Sequence, residues 1–194
     1  MSKSSPLFLL SLCLPLLALL PSVRVYLEVN MLRHMLVVMP LLVFAGFLFA
    51  YGVPRKVRRA LRPWNKFGVP GLLLASGLIA TWMIPFALDR AIENPQVDAA
   101  KTFSLFLAGI ALALSLSLAP LVTQLFFIWN WVAMAVFTGV LYQSLPQRLC
   151  SAYLLDDQGR TGLGLVVFAA AIGCTWCASA WTRHHKVVAT STGG

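Results

Sequence analysis

The sequence predicts an all-α integral membrane protein, one polytopic domain over residues 1–194 built as a bundle of six transmembrane helices with both termini in the cytoplasm. Three observations carry this expectation. Hydrophobic residues fill 59% of the 194 positions and charged residues only 11%, against about 45–50% and about 25% in soluble domains. The apolar residues gather into six runs, most of them close to the roughly 20 residues that cross about 30 Å of hydrocarbon. Lys, Arg, Asp and Glu fall between those runs and never inside them. A mean hydropathy of +0.82 excludes a soluble enzyme and a disordered chain. The net charge of +9 does not signal nucleic acid, because the basic residues are spread through the connections, where they orient membrane spans.

Taken in order, the runs are 6–23, 34–53, 68–88, 102–120, 125–145 and 161–181. No alternation of a barrel strand occurs in them, so helices are the spanning elements. The first run follows Lys3 and ends at Leu20–Pro21–Ser22, which fits either a retained anchor or a cleaved signal peptide. The second contains Pro40 and the third Pro85, each predicting a kink. The fourth holds Ala108, Gly109, Ala111, Ala113, Ser115 and Ser117, and the sixth Gly162, Gly164 and Gly173; such small residues let helices approach closely. The fifth opens on Phe126, Phe127, Trp129 and Trp131, with Trp64 and Trp181 expected at the same depth. That is an aromatic belt at one membrane boundary.

The connections set the orientation. One side collects Lys3, the cluster Arg55, Lys56, Arg58, Arg59, Arg62 and Lys66, then Arg183 and Lys186, with no acid. The other collects Arg24, Arg33, Arg90, Lys101, Arg148 and Arg160 with all six acids: Glu28, Asp89, Glu93, Asp98, Asp156 and Asp157. Nine basic residues against six, nine being the cytoplasmic count, place the termini inside. The expected location is the plasma (inner) membrane of a bacterium or archaeon.

Chemistry-bearing residues are few. With three histidines and only His34 near a span, a bis-histidine haem within this chain is excluded. No acid falls inside a predicted span, so no relay of buried carboxylates is expected. At the extracytoplasmic edge, His34 and Met35 open the second helix, and Met39 and Met83 lie about five residues deep, or about 7 Å. Imidazole and thioether together suit Cu(I). The same residues also fit a plain packing role, since methionine fills gaps and a histidine at a helix end snorkels or caps. Cys174 and Cys177 share a helix face as C-T-W-C, but near the end of the helix that does not activate a thiol. They read as small packing residues, Cys13 as an apolar filler, and Cys150 as a thiol on the exposed side with no partner.

At these residues the chain resembles the CtaG-type cytochrome c oxidase assembly factors. The carriers are the stretch 33–40 with its His34-Met35 pair, the close at Tyr51-Gly52-Val53-Pro54, and Trp82-Met83-Ile84-Pro85. Asn94-Pro95, the run from Phe103 to Gly109, and Tyr153, Asp157-Gln158, Gly162 and Gly164 continue the likeness. It spans about residues 30–175 and departs where the family places histidine and this chain has Met83. A second family histidine is replaced near Asp98 or Ala99. The resemblance implies a non-enzymatic assembly or copper-delivery factor for a haem–copper oxidase or similar extracytoplasmic copper enzyme. It implies Cu(I) held transiently by His34, Met35, Met39 and Met83. The alternative is a non-catalytic accessory subunit of a respiratory or oxidase complex. Expected partners are membrane lipids and a membrane protein complex, with no nucleic acid.

Overall fold

The computed structural model describes residues 11, 13, 20–150 and 153–192. The described residues are helical with no strand among them. Helix α1 is Pro21–Glu28, α2 Met31–Gly52, α3 Arg55–Leu61, α4 Val69–Trp82, α5 Pro85–Glu93, α6 Pro95–Leu116, α7 Leu121–Ser144 and α8 Leu155–Thr192. Among the described residues four helices are long and apolar enough to cross a membrane: α2, α6, α7 and α8 through Thr182. The stretch Lys66–Trp82 with α5 makes a fifth if that bent pair is one span. These match the second to sixth runs read from the sequence. The first, 6–23, falls largely outside the described residues.

Boundaries shift from the sequence expectation for identifiable reasons. The fourth run starts at 95, not 102, because Asn94 caps α6, its side chain accepting from Gln96 N at 2.8 Å, and Pro95 takes the first helical position. Asp98 and Lys101 therefore lie inside a helix, not in a connection. The third run is two helices bent by 71° at Met83–Ile84, since Pro85 lacks the N–H that would continue α4 and opens α5 instead. Pro40 acts one turn earlier: residues His34–Val38 form a π turn, Met39 N bonding to His34 O. A widened turn immediately before a proline relieves the clash its ring would make with a preceding carbonyl.

Small residues bring the spans together. Helices α2 and α6 run parallel and make the most extensive contact, with Gly46 against the Phe106 backbone and Gly109 against that of Val43. Helix α4 lies antiparallel to α6, joined by Trp82 Nε1 donating to Ser104 Oγ at 2.8 Å at one end. At the other end Asn65 Nδ2 donates to Ser115 Oγ at 2.9 Å. There Gly68 takes φ 70° while abutting the Ser115 carbonyl; both facts require glycine. Helices α7 and α8 form an antiparallel hairpin that closes on Gly139 and Gly162. It joins the rest through Gly164 against Leu36 and through Trp131 Nε1 donating to Ser76 Oγ at 2.8 Å.

The largest cluster of buried side chains sits toward the end of the bundle where the acids lie. It gathers Met31, Met35, Val38, Met39 and Leu42 from α2 with Trp82, Leu88, Leu105, Tyr142, Tyr153 and Leu165. In a membrane such packing stabilises through close contact and not through water exclusion. Of the expected aromatic belt, Trp64, Phe126, Trp129 and Trp181 stand exposed, whereas Phe127 is buried and Trp131 hydrogen-bonds inward.

Candidate functional site

Five side chains from four separate stretches meet at the acid-bearing end. His34 comes from the π turn of α2, Asp98 and Lys101 from the first two turns of α6, Glu28 from the last turn of α1, and Tyr153 from the connection before α8. The Lys101 ammonium lies 2.8 Å from Asp98 Oδ1 and 3.5 Å from Glu28 Oε1. It also lies 2.7 Å from His34 Nε2. On the other side of the ring, His34 Nδ1 is 2.9 Å from Tyr153 Oη. That hydroxyl donates to Glu28 O at 3.0 Å.

The donors fix the tautomer. Tyr153 spends its only proton on Glu28 O, so its oxygen accepts from His34 Nδ1–H. Nε2 then offers its lone pair to the Lys101 ammonium, which has no acceptor capacity. His34 is a neutral imidazole with both nitrogens engaged, and it is fully buried, as Lys101 is at 1% exposure. A buried lysine is tolerable only when carboxylates and acceptors replace its water, and Asp98, Glu28 and His34 supply them. Asp98 also sits in the first turn of α6, where the helix dipole favours negative charge.

A second layer of contacts holds residues 147–150, after α7, in place. Gln158 accepts from Leu149 N at 2.8 Å and donates to the carbonyls of Tyr142 and Gln147. Asn30 donates to Asp157 Oδ1 at 3.2 Å and caps the start of α2 by accepting from Leu32 N. Cys150, expected exposed and alone, is instead buried, with Sγ 3.8 Å from Pro85 O. Burial, followed by the charge of Asp89 and a hydrogen bond with it, pushes the thiol up to about 12. The Tyr153 phenol is likewise raised, by burial first and then by the charge of Glu28.

The four residues expected to hold Cu(I) are placed as follows. His34 is locked between Lys101 and Tyr153. Met35 and Met39 are buried in the central cluster, and Met83, at the bend between α4 and α5, packs against it partly buried. A copper ion does not fit this arrangement of donors, because Nδ1 carries a proton and the Nε2 lone pair faces an ammonium. Cys174 and Cys177, expected to be packing residues, both stand exposed on α8, as Cys13 is exposed near the N-terminus.

Sequence reasoning missed Lys101, Asp98 and Glu28, which it placed in solvated connections. The Asn94-Pro95 cap signature was the signal that would have put the first two on a helix. Compared with protein families, curated proteins and solved structures, the chain matches none.

Proposed function

We propose that the protein is a non-catalytic membrane factor that assembles or stabilises a haem–copper (cytochrome c) oxidase or similar extracytoplasmic copper enzyme, holding its partner by helix packing. One observation supports the reading: His34 and Tyr153, two carriers of the oxidase-assembly resemblance 119 positions apart, meet in space. His34 touches Tyr153, Asp157 bonds Asn30 beside the start of α2, Gln158 ties down the connection, and Asn94 caps the helix that presents Lys101. Stretches more than a hundred residues apart are thus clamped into one rigid end of the bundle. Tyr26, Val29, Phe86 and Leu154, all from segments at that end, remain exposed and give a partner helix apolar surface to pack on. The charge distribution directs this end to the extracytoplasmic side.

Copper delivery is the other form of the same reading. It requires Lys101 to leave Nε2 before His34 gains a free ligand atom, and the buried ion pairs with Asp98 and Glu28 oppose that. The accessory role therefore has the better support. In the native membrane, removing the protein should lower the amount of assembled oxidase, read from its haem difference spectrum. Re-supplying Met83→Leu should restore it, because that nearly volume-conserving change costs below about 1.5 kcal/mol in packing. The reduced, purified protein should take up no stoichiometric Cu(I). Uptake of about one Cu(I), abolished in His34→Ala and Met83→Leu, would move the function to copper delivery. An unchanged haem spectrum after removal would end the oxidase assignment.

A further inference from the structure

At the opposite end of the bundle a cavity of about 460 Å³ opens between α3 and the ends of α2 and α6. Arg55, Arg58, Arg59 and Arg62 line it, and Ala113 and Leu114 of α6 form part of its apolar wall. We infer that this is a binding pocket for an anionic phospholipid headgroup, best matched by a lipid carrying two phosphates. The inference is independent of the oxidase reading.

The charge balance of the pocket is the first argument. Four arginines line one space, and Arg58 donates its Nε–H to Val53 O at 3.2 Å. Among the described residues no carboxylate pairs with any of the four, since every acid of the chain lies toward the other end. Like charges gathered beside low-dielectric walls repel one another unless an anion joins them. Phosphate oxygens match the guanidinium fork with two parallel hydrogen bonds each, so four arginines suit two phosphates.

Position and wall chemistry select lipid as the source. The cavity sits where α2 and α6 end, at the level where hydrocarbon gives way to headgroups. Its lining joins the four arginines to apolar residues of the spans, among them Ala50, Ala113 and Leu114, which accommodates a headgroup joined to acyl chains. Nearby Trp64, 83% exposed, and Phe67, 61% exposed, are the aromatic side chains that favour the membrane boundary. Val57 and Leu61, exposed on the same short helix as the arginines, add apolar surface.

The test uses the full chain purified in detergent, with thermal unfolding and native mass spectrometry as readouts. The probes are cardiolipin, phosphatidylcholine and inorganic phosphate. Cardiolipin should stabilise and stay bound, phosphatidylcholine should not, and inorganic phosphate at equal concentration should not replace it. Arg59→Gln/Arg62→Gln should weaken cardiolipin binding about tenfold or more, at about 1 kcal/mol for each basic residue. Arg148→Gln/Arg160→Gln removes the same charge at the other end and should leave binding unchanged. Ala113→Trp fills the cavity with every arginine in place and should also abolish the preference. Retention of cardiolipin by both the arginine pair and Ala113→Trp would overturn the pocket. Equal stabilisation by phosphatidylcholine, or full replacement by inorganic phosphate, would overturn the lipid assignment.

Discussion

Lys101 is the residue on which the acid-bearing end depends. Its ammonium faces Asp98, Glu28 and His34 Nε2 at 2.8, 3.5 and 2.7 Å. Removing it takes the shared cation away from two carboxylates and an imidazole lone pair. Lys101→Met keeps most of the volume, so lost packing contributes little to the outcome. Breaking a buried ionic cluster by deleting one partner costs about 3–5 kcal/mol, and a large fall of the thermal midpoint in detergent should follow. Adding Asp98→Asn and Glu28→Gln to Lys101→Met removes the stranded charges and should recover part of the loss. A midpoint equal to wild type in Lys101→Met would mean that the cluster contributes no net stability. At this scale the sequence was partly legible. His34 stands out as the one histidine near a span, but its partners come from 67 and 119 positions away, beyond the reach of any local pattern. The buried state of Cys150 is hidden for the same reason, because the Pro85 carbonyl that meets it is 65 positions distant.

Elements were more legible than residues, because proline and glycine act locally. Pro85 produces the break its chemistry predicts, a 71° bend, whereas Pro40 follows a π turn within one continuous span. Depth was harder to read: an apolar run marks where hydrocarbon begins, whereas α6 begins two turns earlier at its cap, carrying two charges into the bundle. Glycine makes a sharper claim. A Cβ on Gly46 would run into the Phe106 carbonyl, and one on Gly109 into the Val43 carbonyl, both backbone groups that cannot rotate away. A methyl added at Gly77 would meet nothing within 4 Å. Gly46→Ala and Gly109→Ala should each force α2 and α6 apart and cost more than the roughly 1–3 kcal/mol typical of overpacking. Gly77→Ala should be neutral or stabilising by up to about 1 kcal/mol, since alanine favours the helix. Unfolding midpoints of the three variants in one detergent decide this, and equal midpoints would mean that α2 and α6 do not pack through their glycines.

For the whole molecule, charge is arranged along the bundle axis. Helices α2 and α6 run parallel from the end holding Glu28, Asp98 and Lys101 to the end holding the arginine cavity. The cluster Arg55, Lys56, Arg58, Arg59, Arg62 and Lys66 lies between α2 and α4 with no acid near it in sequence. Basic residues close to span ends resist translocation, while acids have little influence. A topology reporter fused after Arg59 should therefore read cytoplasmic, and one after Glu93, which follows the bent pair, should read extracytoplasmic. Arg90 and Lys101 flank the second fusion site, but Lys101 is neutralised within its buried cluster and leaves Arg90 as the only solvated basic residue between α4 and α6. That imbalance, six basic residues in one connection against one, predicts a clear difference between the two fusions. Replacing Arg55, Arg58, Arg59 and Arg62 together should blur it into a mixed population. Opposite readings at Arg59 and Glu93 would invert the molecule. The His34–Lys101 cluster would then face the cytoplasm, out of reach of any extracytoplasmic partner.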